Sequence, residues 1–428
     1  MTWRRFRAGG RAILVAWLLP AGVFAQSGFT WQQIKDKFEA TNPTLKAARA
    51  SIDESLANEV TAYLRPNPDL SGGIDQINPF GSQPSLSGSG RDVYRPFAYA
   101  FPSGSISYLH ERGGKRELRL ESAKKSTWIA NSSYLDQERG LLFVLRNAFV
   151  QTLQAKAVLQ NSRENLDYWD RELDVNRKRF SAGDLALVDL NRLELQRAQF
   201  EADFETATVN LRTNKIQLLQ LLNDRTPIEQ FDVSGPYDFT DRLKPLEEYR
   251  AIAMAARPDL KAAVQSVDLA KTNYHLAVAN GSTDPTFSMD FARNPPIPVY
   301  LGFSVSIPLR IFDRNQGEKA RTRIDIGRNE RLRDAAEAQV FSDVDSSYWT
   351  LVQALNLLRP YKAKYLPLAT DVRDRTSFSY QHGGASLLDF LDAEKSYRDI
   401  RLAYLNLIGS YLTAAAQMSM AAGQEIMP

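Results

Sequence analysis

The sequence Asn42-Pro43-Thr44-Leu45-Lys46-Ala47-Ala48 recurs later in the chain as Arg257-Pro258-Asp259-Leu260-Lys261-Ala262-Ala263. A second set of matches is spaced by 200 residues, because Phe180, Gly183, Leu187, Asp189 and Glu194 correspond to Tyr380, Gly383, Leu387, Asp389 and Glu394. The matching features come in the same order in both halves. The chain is therefore predicted to contain two copies of one supersecondary unit, over residues 26–240 and 241–428.

Hydrophobic spacing within each copy predicts long helices. Steps of three and four residues connect Leu190, Leu193, Phe200, Phe204, Ala207, Leu211, Leu218 and Leu221, with Arg197 and Asn214 as the polar members. The ten positions 200 residues further on, from Phe390 to Ala421, are all apolar or aromatic. These positions are called the helical seams. The segment before the first seam repeats every seven residues, through Leu145, Thr152, Leu159, Leu166, Leu173 and Phe180. Each copy is thus predicted to contain a long antiparallel helical hairpin, which makes the protein elongated.

Glycines mark the predicted hairpin tips. Ala182-Gly183-Asp184 lies in the first tip, at about 181–185, and His382-Gly383-Gly384-Ala385 lies in the second, at about 381–386. Glycine is favoured where a helix ends in a left-handed residue. These segments alone indicate ordinary turns.

Alternation with a period of two predicts four strands, two in each copy. Phe287, Met289 and Phe291 alternate with polar residues in one predicted strand, at 284–293, and Leu301, Phe303, Val305, Ile307 and Leu309 alternate with small residues in the next, at 299–309. The counterparts in the first copy lie at about 68–76 and 97–109, where Phe97, Tyr99 and Phe101 share a face. A Gly/Ser/Pro-rich loop from Asn78 to Arg95 separates them.

Composition narrows the class of protein. The 428 residues include 53 Lys+Arg and 50 Asp+Glu, no Cys and three His. This balance argues against a nucleic-acid-binding protein, and the absence of Cys excludes disulfides, thiolate metal sites and an acylated Cys. No nucleophile-and-base pattern, phosphate loop or metal-ligand spacing is present, so neither an enzyme nor a cofactor is expected.

The N-terminus predicts secretion. Four arginines precede an apolar run from Ala12 to Leu19, and Val23-Phe24-Ala25 has the small-residue ending of a signal peptide covering residues 1–25. A membrane anchor is the alternative, but the run is shorter than the ~20 residues that span a bilayer. Amphipathic strands also occur in soluble half-buried sheets. Since the smallest membrane barrels use ~8 strands, a barrel requires several chains.

The order of these features resembles the TolC-type outer-membrane efflux channel family over essentially the whole mature chain. It consists of a signal peptide, an Asn-Pro-x-Leu helix, Arg65-Pro66-Asn67-Pro68-Asp69-Leu70 entering a strand, a hairpin with a glycine tip, and then the repeat from Arg257. The Arg-Pro-Asn-Pro-x-Leu stretch is most similar to the heavy-metal (RND) efflux branch, although this chain lacks the lipidated Cys of many relatives.

The resemblance implies a mainly α, α+β fold in which two tandem repeats supply coiled-coil hairpins. Four strands from each chain would complete a trimeric, twelve-stranded outer-membrane barrel, and the helices would continue as a periplasmic tunnel. Residues Thr226 to Leu246 and the C-terminal segment would form a belt around the tunnel. The implied partners are two further copies in a homotrimer, outer-membrane lipid, a periplasmic membrane-fusion adaptor protein and a proton-driven inner-membrane pump of the RND type.

The resemblance also assigns sites. Channels of this family are narrowed by an Asp-x-x-Asp pattern after the second turn, which Asp389-Phe390-Leu391-Asp392 matches, whereas the first copy keeps only Asp189. Carboxylates at i and i+3 share a helix face, and around a threefold axis they would select cations and raise one another's pKa. Alternatively, an aspartate in a first helical turn serves only the helix N-terminus.

The hairpin tips are the expected adaptor-docking surface, through Ala182, Gly183, Asp184, Gly383, Gly384 and Ala385. Three functions remain open at this point. The chain is expected to be the exit duct of a tripartite efflux system. It could equally serve a type I protein secretion system, or be a secreted, elongated coiled-coil scaffold.

Overall fold

The computed structural model describes residues 28–80, 82–83, 93–97, 100–294 and 297–426. The predicted signal peptide lies outside the described residues. Helices occupy most of the described chain: α1 (Trp31–Thr41), α2 (Pro43–Tyr63), α3 (Lys115–Ser181), α4 (Leu187–Leu221), α5 (Leu246–Ala256), α6 (Pro258–Asn280), α7 (Gln316–Pro360), α8 (Leu366–Gln381) and α9 (Leu387–Ala422). The strands are β1 (Asp69–Asp75), β2 (Ser82–Gln83), β3 (Val93–Tyr94), β4 (Phe101–Leu109), β5 (Thr286–Asn294) and β6 (Ile297–Ser306).

The repeated Pro-x-Leu motif forms the same joint in both halves. Asn42 and Arg257 each adopt an extended conformation between an 11-residue helix and a longer helix whose first residue is proline. Proline is suited to that first position because its N–H would have no helical partner. Asn42 accepts a hydrogen bond from the Leu45 N–H at 3.0 Å, whereas Arg257 pairs with Asp259 and Asp343 at 2.6 and 2.8 Å. One backbone joint is thus stabilised by two different side chains.

Strands from both halves join in one antiparallel sheet with the order β1-β4-β5-β6. Its central ladder pairs β4 of the first half with β5 of the second, from Ser103 opposite Ala292 to Leu109 opposite Thr286. The register puts large apolar side chains on one face: Leu70, Ile74, Ile106, Tyr108, Phe287, Met289, Phe291, Leu301, Phe303 and Val305. The other face has mostly Ser, Gly and Asp side chains, but Phe101 and Tyr300 also lie on it, with ring centroids 6.3 Å apart. The predicted alternation is therefore present in three dimensions.

Strand ends differ from the predicted ones. β4 begins at Phe101, with Phe97 in a turn before it, and Tyr99 lies outside the described residues. β6 ends at Ser306 although the alternation continues to Leu309, because Pro308 has no N–H to donate to a ladder. Between β1 and β4, the described parts of the loop include an additional pairing of β2 with β3, which sequence analysis did not predict.

The long helices form two hairpins. α3 runs for 67 residues, about 100 Å at 1.5 Å per residue, and returns through α4. The predicted seam positions of α4 and α9 are all buried or half-buried. In the second hairpin, a π-helical turn at Tyr361–Tyr365 separates α7 from α8, following Pro360. None of the described helices is long and apolar enough to cross a membrane.

The core is divided along the length of the molecule. One cluster packs α5, α7 and α9 around Tyr249, Leu351 and Met418, and another packs α1, α3 and α4 around Phe38, Leu145 and Leu218. The irregular segment 222–245 contributes to both, through Phe231 and Val233 in one and Tyr237 in each. A third cluster lies at the hairpin tips. The segment expected to form a belt thus packs against helices of both halves.

Candidate functional site

Both hairpin tips end their first helix in the same way. Gly183 and Gly383 have φ of 86° and 77°, in the left-handed region that glycine tolerates best. The next residue closes each turn through its N–H, from Asp184 to the Arg179 carbonyl at 2.9 Å and from Gly384 to the Ser379 carbonyl at 2.8 Å. This is the Schellman pattern, which satisfies carbonyls left free at a helix end.

The tip residues expected to dock a partner lie on the surface. Ala182, Gly183, Asp184, Gly383 and Gly384 are exposed, and Ala385 is half-buried against the tip cluster. The two tips start their second helices differently. Ser386 caps α9, whereas Ala186 begins α4 without a side-chain cap.

Asp389 and Asp392 both lie exposed in the first turns of α9. The Asp389 carboxylate accepts hydrogen bonds from the Ser386 N–H at 3.1 Å and from its hydroxyl at 2.7 Å. These bonds lower the pKa of Asp389 within a single chain. Asp389 therefore has a capping role, and Asp392 forms no ion pair with any residue that the structure describes.

Asp189 differs from its counterpart Asp389. It is half-buried in the first turn of α4, and Arg192 pairs with it at 3.5 Å. Because the position matching Arg192 is Asp392, the second copy has two acidic groups where the first has an ion pair. Of the two helices that follow the tips, only α9 thus begins with two acidic side chains that have no basic partner among the described residues.

A buried aromatic cluster connects the second tip to α3. The ring of Tyr380 stacks on Phe390 with centroids 4.9 Å apart, and its hydroxyl donates a hydrogen bond to Asn176 at 2.9 Å. Arg179 lies over the same ring at 5.2 Å. Phe180, the counterpart of Tyr380, is 38% exposed although it continues the heptad pattern of α3. Only the second tip is covered by a neighbouring helix at this position.

Two buried carboxylates lie in the same region, and sequence analysis assigned them no role. Glu172 on α3 and Glu394 on α9 are 8% and 6% exposed, and one oxygen of each forms no hydrogen bond among the described residues. Burial raises the pKa of Glu394 to about 7, and it also raises the pKa of Glu172. Glu394 belongs to the repeat matches, but its counterpart Glu194 is exposed and pairs with Arg177 at 3.0 Å. The sequence did contain a signal for the burial of Glu394, since this residue directly follows the seam residue Ala393.

Comparisons with known proteins agree with this architecture. The family model described as "Outer membrane efflux protein" matches residues 251–424, which include α6 to α9 and both strands of the second half. The cobalt-zinc-cadmium resistance protein CzcC of Cupriavidus metallidurans is 23% identical over 90% of this chain and 87% of its own length. The outer membrane protein TolC of Escherichia coli is 21% identical over 91% of this chain and 81% of its own length.

Solved structures show the same fold. A structure of CusC superposes with a TM-score of 0.74 at 17% identity and covers 92% of both chains. The outer membrane protein VceC of Vibrio cholerae gives a TM-score of 0.73 at 15% identity, over 92% of this chain and 96% of that one. The resemblance drawn from the sequence is confirmed: residues 251–424 match the outer membrane efflux protein family, and nearly the whole chain has the fold of these outer-membrane channels.

Proposed function

We propose that this chain forms the exit duct of a tripartite efflux system and passively conducts substrates from an inner-membrane pump and a periplasmic adaptor to the exterior. The observation that carries the proposal is the four-stranded sheet. One entire face is apolar, and large side chains on it stay exposed, including Leu70 at 76% and Phe303 at 80%. A face of this kind suits the hydrocarbon of a bilayer.

The sheet also requires further copies of the chain. β1 and β6 each have one edge without a partner in the described part of the chain. Open sheet edges do not occur in hydrocarbon because unpaired backbone groups are too costly there. β4, β5 and β6 contain 9, 9 and 10 residues, close to the ~9–11 of a membrane strand. A homotrimer would pair β6 of one copy with β1 of the next and close a barrel of twelve strands.

The acidic start of α9 is proposed as the periplasmic gate. In a trimer, Asp389 and Asp392 would contribute six carboxylates around the axis, and such a ring attracts cations. Asp189 would contribute less because of Arg192. The exposed tips at Ala182–Asp184 and Gly383–Ala385 are proposed to dock the adaptor, because they are the free ends of the two hairpins.

The name of one relative suggests a substrate class. CzcC, by its name, is a cobalt-zinc-cadmium resistance protein. We propose divalent transition-metal ions as substrates of this chain, delivered by a proton-driven pump of the RND type. An acidic constriction agrees with cationic cargo.

Reconstitution tests the duct. The mature protein, extracted from outer membranes in mild detergent, should have the mass of a trimer and produce single-channel currents in planar bilayers. Expression with its genomic adaptor and pump should restore growth on cobalt, zinc or cadmium to a host lacking its own efflux channel. A monomeric soluble periplasmic protein without currents would contradict the duct, whereas currents without metal resistance would contradict only the substrate.

A further inference from the structure

Three of the four connections between helices and the four-stranded sheet surround one cavity. They lead from β4 to α3, from α6 to β5, and from β6 to α7. The cavity has a volume of about 560 Å³, and its lining includes Arg112, Arg310, Arg314 and Lys319. Arg112 and Arg310 come three and four residues after the last residues of β4 and β6. At ~3.4 Å per residue they are within about 14 Å of the sheet.

None of these four cations forms an ion pair with a residue that the structure describes, although Asp284 attracts Arg310 at longer range. Three acids lie nearby, and the carboxylate of one of them, Asp313, accepts the Asn315 N–H at 2.8 Å. Asp284 pairs with Lys115 at 2.5 Å and accepts the Arg112 N–H at 2.9 Å, while Glu318 pairs with Arg321 at 2.5 Å. The four cations outnumber the nearby acids, so the cavity has a net positive charge that an anion would reduce.

A stretch of exposed apolar side chains adjoins the cavity. Ile307, Leu309 and Ile311 continue the period of the apolar sheet face beyond Val305, and Phe312 follows them. Their exposed fractions are 53%, 80%, 62% and 90%. Arg310 and Arg314 are interspersed with them. Long apolar side chains next to arginines are typical of a chain at the boundary between acyl chains and headgroups.

We propose that this cavity and the Ile307–Phe312 stretch together bind one anionic phospholipid per chain, from the membrane leaflet that faces the periplasm. The inference rests on the outer-membrane duct proposed above. The phosphate would occupy the cavity among Arg310, Arg314 and Lys319, and the acyl chains would lie against Leu309, Ile311 and Phe312. The headgroup layer extends ~6 Å beyond the hydrocarbon, and long Arg and Lys side chains that start a few residues after the strand ends can reach it.

The combination of charge and apolar surface identifies a lipid as the ligand. A free phosphate would neutralise the cations but leave Phe312 in water. An apolar partner surface would cover Phe312 but leave the cavity with its net positive charge. A bilayer phospholipid satisfies both, and each Lys or Arg near an anionic membrane surface strengthens such binding several-fold.

Native mass spectrometry of the detergent-solubilised, full-length oligomer tests the site. Phosphatidylglycerol and phosphatidylethanolamine are added separately, and retained lipid is counted per chain. The variant R310Q/R314Q/K319Q should bind phosphatidylglycerol at least about tenfold more weakly than the wild type. The matched control R212Q/R331Q/K395Q removes three exposed cations of α4, α7 and α9 that form no ion pair within the described ranges, and it should bind normally. F312S should weaken retention of the lipid, because it removes the apolar contact. It should not change how strongly inorganic phosphate binds to the basic cavity.

The possible results separate the explanations. Equal retention of both lipids, or equal loss in the control variant, would overturn the site. Full displacement of the lipid by millimolar inorganic phosphate would identify a free anion as the ligand instead. If F312S dissociated the oligomer without affecting lipid binding, the apolar stretch would be a contact between copies. Single-channel currents are recorded for every variant, so failure of the lipid site with normal currents leaves the duct proposal intact.

Discussion

The two hairpins share matching sequence positions, yet their tips are built differently. The first tip has an exposed Phe180, an uncapped α4 and an ion pair between Asp189 and Arg192. The second has a buried Tyr380, a capping box at Ser386 and Asp389, and Asp392 with no ion pair among the described residues. The polar specialisation is thus concentrated where α9 begins, and the first hairpin supplies the surface against which it packs.

Substitutions at the proposed docking tips are expected to have the largest effect. Ala182→Trp and Asp184→Trp place bulk on exposed positions whose backbone does not require glycine. They should abolish efflux in cells while the protein still assembles and conducts in planar bilayers. Resistance assays and detergent-phase mass measurements check this together. Loss of assembly would show that the first tip has a structural role instead. Gly183 and Gly383 are poorer targets, since any side chain there strains the left-handed backbone.

The gate assignment predicts an asymmetry between the repeats. D389A/D392A should raise single-channel conductance by about twofold or more and reduce cation selectivity, because a ring of carboxylates is removed. D189A should change conductance less, because that charge is already paired with Arg192. Reversal potentials in a salt gradient measure the selectivity. If both variants changed conductance equally, the constriction would involve both repeats. If neither variant changed conductance or selectivity, the gate assignment would be rejected.

The buried Glu394 predicts that stability depends on pH. Its pKa is raised from 4.5 to about 7. Below pH 4.5 the group is protonated in both states and does not affect the free energy of unfolding. Above pH 7 it is charged in both states, and its burial then destabilises the folded state fully. Glu172 and Asp374 add repulsion, while Arg373 and Tyr168 favour the charged form. Glu394→Gln should therefore stabilise the protein by about 3 kcal/mol at pH 8 and little at pH 4.

Thermal unfolding midpoints over this pH range measure the effect. Glu194→Gln, at the exposed counterpart, is the matched control and should produce no rise with pH. A Glu394→Gln curve parallel to the wild-type curve would show that Glu394 is neutral or solvated at all these pH values.

The helix caps give the smallest effect. Ser386→Ala should destabilise the start of α9 by about 1 kcal/mol, because the hydroxyl that accepts the Asp389 N–H is lost. Ala186→Ser should stabilise the start of α4 by a similar or smaller amount. Hydrogen exchange of the first-turn amides reports each change locally. Unchanged exchange in both variants would mean that packing alone, rather than capping, fixes the tips.

The features that depend on local residue spacing, namely the helical seams and the two faces of the sheet, could be predicted from the sequence. Every seam position of α4 and α9 is at least half-buried, and the two faces of the sheet separate as the alternation required. Residue spacing could not show that Tyr380 of the second hairpin packs against α3, because its hydrogen bond to Asn176 joins residues about 200 positions apart. The burial of Glu394 follows from the same packing, because Tyr168 and Glu172 of α3 lie next to it. The π-helical turn had a local signal in Pro360 and Pro367, which interrupt the hydrogen bonds of a long helix.

The ladder between β4 and β5 has a consequence for biogenesis. It joins residues 177 to 189 positions apart, whereas each hairpin folds from neighbouring sequence. Contacts of such long range form slowly. The helices can therefore fold first, and the apolar sheet can form only after both repeats have been exported. A chain interrupted before β5 would have at most the β1–β4 part of this sheet, so the ladder restricts barrel assembly to full-length chains.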